Sequence, residues 1–310
     1  MININNMKRT LIAQGKGGLT AYLPKAWIDS KGLKAGNSVD ISDVDGRLII
    51  QSEKKEVKEV TLYLNNDNKH DVTTLLSHAY RAGYDKISIE SSDIRIQKEV
   101  VTITKDKLLG FEVVAKEQGK IVIENISEPS EKKYEVLLRR ILFIMKDSFE
   151  LLAQGVEAVS FDKLSEIKES KDEHERLTLF CKRVLSKERY EREPLASWEL
   201  LTFLTHIQHA LFYTYEYAQK EKPILSERTK KLTKDLVVYY SLFEHAFIHK
   251  DKESVHLINA QKKEYQFGTC LDELEKSKGK ETVLLSYIRE IFRLIQIATS
   301  PLLLILLEKH

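Results

Sequence analysis

Four cations gather near the start of the chain: Lys8, Arg9, Lys16 and Lys25 flank a glycine-rich turn, Gly15-Lys16-Gly17-Gly18, that separates two apolar runs. Cations repeated along one hairpin can neutralise nucleic-acid phosphates, and arginine adds a planar fork able to read a guanine edge. The competing reading is that they are solvated charges, since lysine at a sheet edge also deters aggregation. Farther along, His206 and His209 stand three apart and His245 and His249 four apart, which places two imidazoles on one helix face as a metal site requires. Glu175 is the carboxylate to consider with the first pair. Neither pair has an obvious third ligand close by, so ordinary core or surface histidine competes with a metal site.

No pattern for catalysis stands out. The Gly15-Lys16-Gly17-Gly18 segment lacks the spacing and the Lys-Ser/Thr end of a phosphate-binding loop, and a hairpin turn explains it. The helical carboxylates alternate with lysines as solvated faces do, and no two acids share an apolar setting suited to acid/base work. The sequence is read as non-enzymatic, with no catalytic residue and no cofactor.

Composition narrows the classes further. With 310 residues, 42% of them hydrophobic, the chain can bury a sizeable core and build two or three domains. Lys+Arg 49 against Asp+Glu 47 leaves a formal charge of +2, so any basic surface must be local. The two cysteines, Cys181 and Cys270, lie far apart without CxxC spacing, which suits a reducing compartment and a cytoplasmic protein. The opening MININNMKRT is too polar for a signal peptide. The most apolar segment, Leu294 to Leu307, contains Pro301 and falls short of the roughly 20 residues a membrane span needs, so none is expected.

These residues need elements to hold them. Through about residue 58 the pattern is short alternating runs punctuated by glycine: a strand over Lys8 to Ala13, a return strand over Leu19 to Leu23, a short helix over Lys25 to Lys31 closed by Gly32, and a hairpin around Asp45-Gly46. Residues 59–129 alternate strand and helix signals and read as a small α/β domain, a sandwich of ferredoxin-like outline. Asp93 to Lys107 reads as a helix, with the Val100-Val101-Thr102-Ile103-Thr104 run open to an extended alternative. The last two strands meet around Gln118-Gly119. Beyond the Glu128-Pro129-Ser130 boundary, residues 130–310 carry six helical patterns, the fifth over about Lys252 to Lys276 and the sixth after Gly279, which suggests two three-helix bundles.

Two resemblances add expectations. In the head, Lys8-Arg9-Thr10, Gly17-Gly18-Leu19-Thr20-Ala21-Tyr22-Leu23-Pro24-Lys25-Ala26-Trp27 and Gly32-Leu33-Lys34-Ala35-Gly36-Asn37-Ser38-Val39 resemble the SpoVT/AbrB family over about fifty residues, departing at Tyr22 and Asn37. The resemblance implies a swapped-hairpin β-barrel, hence a homodimer, with Lys8, Arg9, Lys16 and Lys25 as nucleic-acid-binding residues. In the body, Glu166 through Leu177 followed by Arg183 resembles the second helix of archaeal PhoU proteins, and the helix order extends the likeness. That family's carboxylate-held metal clusters are expected to be lost here. Lys171 stands where an acid belongs, and the other motif positions read Thr205-His206-Ile207-Gln208-His209 and Phe292-Arg293-Leu294-Ile295-Gln296. The metal candidates singled out are His206, His209 and Glu175, ahead of the His245 and His249 pair.

The whole is expected to be a multidomain α+β protein: an AbrB-like barrel, a small α/β middle domain and all-α PhoU-like bundles. The resemblances imply a DNA-binding transcriptional regulator of phosphate uptake, with phosphate transport or signalling proteins as further partners. The alternative is a dimeric scaffold that ignores DNA and docks on a phosphate transporter or signalling kinase.

Overall fold

The computed structural model describes residues 8–15, 17–44, 46–52, 57–127, 131–187 and 194–307. Lys16, Asp45 and the Glu128-Pro129-Ser130 boundary lie outside them. The chain is mainly helical, 66%, and divides into two compact units, Met1–Val57 and Lys58–His310.

The first unit holds two separate hairpins. Strands β1 (Ile12–Gln14) and β2 (Gly18–Thr20) pair antiparallel with Ile12 opposite Thr20. They are shorter than the apolar runs suggested. Helix α1 (Lys25–Ser30) starts after Pro24 and ends at Gly32, whose φ of 61° suits a residue without Cβ and lets the Leu33 N–H reach Ile28 O at 3.0 Å. Strands β3 (Val39–Val44) and β4 (Arg47–Ser52) form the second hairpin. Among the described residues of this unit none is buried, and no closed barrel forms within the single chain.

The second unit opens with a four-stranded sheet. Its strands are β5 (Glu59–Tyr63), β6 (Lys86–Glu90), β7 (Phe111–Glu117) and β8 (Lys120–Asn125), in the order β5-β6-β8-β7. The β5–β6 pair is parallel and the others antiparallel, so the order of elements is βαβαββ, unlike the βαββαβ of a ferredoxin-like domain. Helices α2 (Val72–Arg81) and α3 (Ile94–Lys107) close one face. There Ile87, Ile89, Ile121 and Ile123 meet Leu76, Tyr80, Ile96 and Val100.

The helical part consists of α4 (Glu131–Ala158), α5 (Leu164–Lys187), α6 (Pro194–Glu221), α7 (Glu227–His249), the segmented stretch α8 (Lys252–Ala260), α9 (Lys262–Glu264) and α10 (Cys270–Lys276), and α11 (Lys280–Leu307). Helices α4 to α6 pack on one another, α7, α8 and α11 likewise, and the two groups join through α6–α11 and α4–α7. One continuous apolar cluster runs through both groups, from Leu138 to Leu306, so they share a core. The expected fifth helix is interrupted by a π-helical turn at Tyr265–Thr269. Tyr265 stacks on Phe292 at 4.4 Å, and Arg289 Nε donates to Gln266 O at 2.8 Å, so tertiary contacts hold the irregular turn. Helix α11 is long and apolar enough by length and composition to cross a membrane, with a mean hydropathy of 1.7 in its most apolar window. Half of that window is buried inside the fold, as in the core helix of a bundle.

Arg183 fastens the sheet layer to the helices. Fully buried on α5, its Nη1 donates to Tyr80 O at 3.0 Å and Tyr84 O at 2.6 Å, and its Nη2 to Asp85 Oδ1 at 2.8 Å. The guanidinium lies over the rings of Tyr80 and Phe111 at 5.2 and 4.8 Å. Burial pushes the Asp85 carboxyl up, but the hydrogen bond from Lys187 and the Arg183 charge prevail and hold it below its usual value.

Candidate functional site

In the first unit Lys8 and Arg9 precede β1 and Lys25 opens α1, all three exposed. Lys16, the fourth expected cation, lies outside the described residues. The apolar side chains are exposed as well: Leu19 at 65%, Ile41 at 61% and Leu48 at 72%. A two-stranded hairpin with an uncovered apolar face is at best marginally stable in water. This unit therefore presents cations and an unburied apolar surface together.

The second candidate lies along the seam between the antiparallel helices α5 and α6. Residues one turn apart on α5, His174, Thr178 and Lys182, are all buried, and across from them α6 offers Trp198, Thr202, His206 and His209. At one end Glu175 is a hub: Oε1 lies 2.6 Å from His209 Nε2 and 3.1 Å from Lys171 Nζ, and Oε2 accepts from Lys107 Nζ of α3 at 2.9 Å. Burial raises the Glu175 pKa, but the hydrogen bonds from His209, Lys107 and Lys171 outweigh it and hold the carboxyl well below the usual range. In the middle, the two ring nitrogens of His174 and the Thr178 Oγ1 are buried without a hydrogen-bond partner among the protein groups. Burial, helped by the neighbouring His209, pushes His174 down to about 3, so it is a neutral imidazole near pH 7.

At the other end Lys182, 5% exposed, donates to Thr202 Oγ1 at 2.8 Å and lies 5.3 Å from the Trp198 ring. Arg81 of α2 approaches the same ring at 5.8 Å and hydrogen-bonds His78 Nε2 at 2.9 Å. Burial first, and the Arg81 charge second, bring Lys182 down to about 8. Desolvating an ammonium costs several kcal/mol. A cation–π contact of about 0.5–2 kcal/mol and a charged hydrogen bond of about 1.5–3 kcal/mol only roughly offset that, and here one indole serves two cations.

The three metal candidates are brought together only in part. Glu175 and His209 touch, whereas His206 is exposed and the free sides of the Glu175 carboxylate carry lysines. The other pair, His245 and His249, has rings 4.4 Å apart, with Asp251 Oδ2 3.7 Å from His245 Nε2. Among the described residues no group of three or more His, Cys, Asp or Glu is arranged to hold a metal ion. Reading the sequence missed Lys107, Arg81, Trp198, His174 and Lys182. The i, i+4, i+8 spacing of His174, Thr178 and Lys182 was visible, but only the fold shows that this face is buried. No family model, no curated protein and no solved structure matches this chain.

Proposed function

We propose that this chain is a cytoplasmic, dimeric DNA-binding regulator of phosphate uptake, with an AbrB-like head that engages DNA and a PhoU-like helical body that receives the signal. The observation that carries this reading is the first unit, where exposed apolar residues such as Leu19, Ile41 and Leu48 lie on strands short of partners while Lys8, Arg9 and Lys25 stand in water. Pairing two copies would cover the apolar faces and use the open strand edges, and a two-fold axis would bring both sets of cations to one surface. A swapped barrel is a form of that pairing that a single chain cannot close. The phosphate assignment rests on the likeness of Glu166 to Arg183 to the PhoU second helix.

A mobility-shift titration of the full chain with fragmented genomic DNA tests the reading. The expected result is a retained subset of fragments. Arg9→Ala should weaken the preferred fragment by about 1–3 kcal/mol for each base edge no longer read, and random DNA by less. If the dimer ignores DNA at low salt, the head is a dimerisation device and the body acts as a scaffold.

A further inference from the structure

We propose that Lys182 and Arg81, grouped about Trp198 where α5, α6 and α2 meet, bind a small tetrahedral oxyanion of the phosphate or sulfate class. The contrast among the buried charges carries the argument. Of the fully or nearly buried charged side chains, Arg183 meets Asp85 at 2.8 Å, Glu273 meets Arg228 at 2.6 Å and Glu244 meets Lys146 at 3.7 Å. Lys182 is the exception: among the described residues no carboxylate lies within ion-pair distance of it, nor of Arg81 beside it. Among the described residues its neighbours supply one hydroxyl, Thr202 Oγ1, to an ammonium with three donors. Arg81 finds its acceptor in the His78 ring, leaving most of its five donors to spare.

The surroundings have the polarity an anion needs. One turn before Lys182, on the same face of α5, the buried Thr178 hydroxyl has no partner, and the charges felt by His206 include that of Lys182. Toward the other end of the seam Lys107 and Lys171 are met by the carboxylates of Glu175 and Asp172, so the positive charge left without a described carboxylate lies at Lys182 and Arg81. An oxyanion seated between Lys182 and Arg81 would neutralise both and accept from several donors at once. The Arg81 fork suits two of its oxygens and the Lys182 ammonium a third. Since α2 belongs to the sheet layer and α5 and α6 to the helices, such an anion would also bridge the two parts of the second unit.

Calorimetric titration of the full chain with sodium phosphate, and separately with sodium sulfate, at ionic strength held constant with chloride, tests this without DNA. The expected result is saturable binding of both oxyanions at millimolar or lower concentration and none of chloride. Lys182→Met and Arg81→Gln should each weaken it about tenfold or more, and Lys168→Met, an exposed lysine on the same helix, should leave it unchanged. Arg81 is only half-buried, so its variant decides the matter if Lys182→Met fails to fold. Absence of saturable binding in the wild type, or binding indifferent to both substitutions, overturns the proposal. DNA binding by the head stands or falls separately.

Discussion

Removing the Arg183 guanidinium would strand Tyr84 O, leave Tyr80 O to the Gly83 N–H, and leave Asp85 with Lys187 as its cationic partner. Arg183→Ala should therefore cost about 3–5 kcal/mol in urea unfolding, and Arg183→Lys should recover little, because a single ammonium cannot span the same three acceptors. A loss under about 1 kcal/mol would show that the latch is not needed. The sequence displayed this arginine inside a recognisable helix pattern, but its partners lie about a hundred residues away along the chain, and nothing local announces them. His174 makes a second prediction. Its folded pKa, about 3, lies below the ordinary value of 6.5, so the unfolded chain binds the extra proton between those values. Its contribution to stability is complete above pH 6.5 and is lost as pH falls toward 3, at up to about 1.4 kcal/mol per pH unit. His78 and His206, also lowered by burial, tilt the same way, so the test is a difference: unfolding free energies at pH 7, 6 and 5 should fall less steeply in His174→Phe than in the wild type. Parallel slopes would contradict the assignment.

Helix α3 shows how an element can be set by its position rather than its composition. Its Val100-Val101-Thr102-Ile103-Thr104 run is β-branched throughout and costs a helix up to about 0.7 kcal/mol per residue relative to alanine. Against that, Ile96, Val100 and Ile103 recur at helical spacing and are buried, each contributing about 1.5–3 kcal/mol. Burial wins, and the cap sets the start: Asp93 Oδ1 accepts from Arg95 N–H at 2.8 Å. Hydrogen bonds from Arg95 hold this carboxyl down at about 2, so the cap works above the ordinary pKa of 3.8 and fades as pH falls toward 2. Asp93→Ala should lower the thermal midpoint, and Asp93→Asn should keep most of it; equal losses would point to charge rather than capping. The hairpin at Gln118-Gly119 was legible because a glycine at φ 80° between two alternating runs has a local cause. The π-helical turn at Tyr265–Thr269 was not, because its causes, Phe292 and Arg289, lie on α11.

At the scale of the molecule, the change from glycine-punctuated hairpins to alternating strand and helix signals was plain in the periodicity, and the fold divides near it, at Val57. Periodicity could not reveal that the sheet layer and the helices form one unit, because long-range pairs such as Arg183–Asp85 make that joint. The exposed apolar strands of the first unit predict a dimer. The wild-type full chain should sediment as one at micromolar concentration, and a Leu19→Lys/Leu48→Lys variant should sediment as a monomer with the helical circular dichroism of the second unit retained. A wild-type monomer would remove the basis for the two-fold surface. Given the dimer, four cations per chain, Lys8, Arg9, Lys16 and Lys25, can engage up to eight phosphates. The most direct test is the affinity of the full-length dimer for a retained DNA fragment, measured by fluorescence anisotropy across a salt series. The expected slope of log K against log salt is roughly −5 to −7, since each phosphate engaged contributes about −0.9 and some cations miss the backbone. Lys8→Ala/Lys25→Ala should flatten that slope by roughly 2 to 4. No binding at low salt, or a slope the double substitution leaves unchanged, would contradict a DNA-binding head.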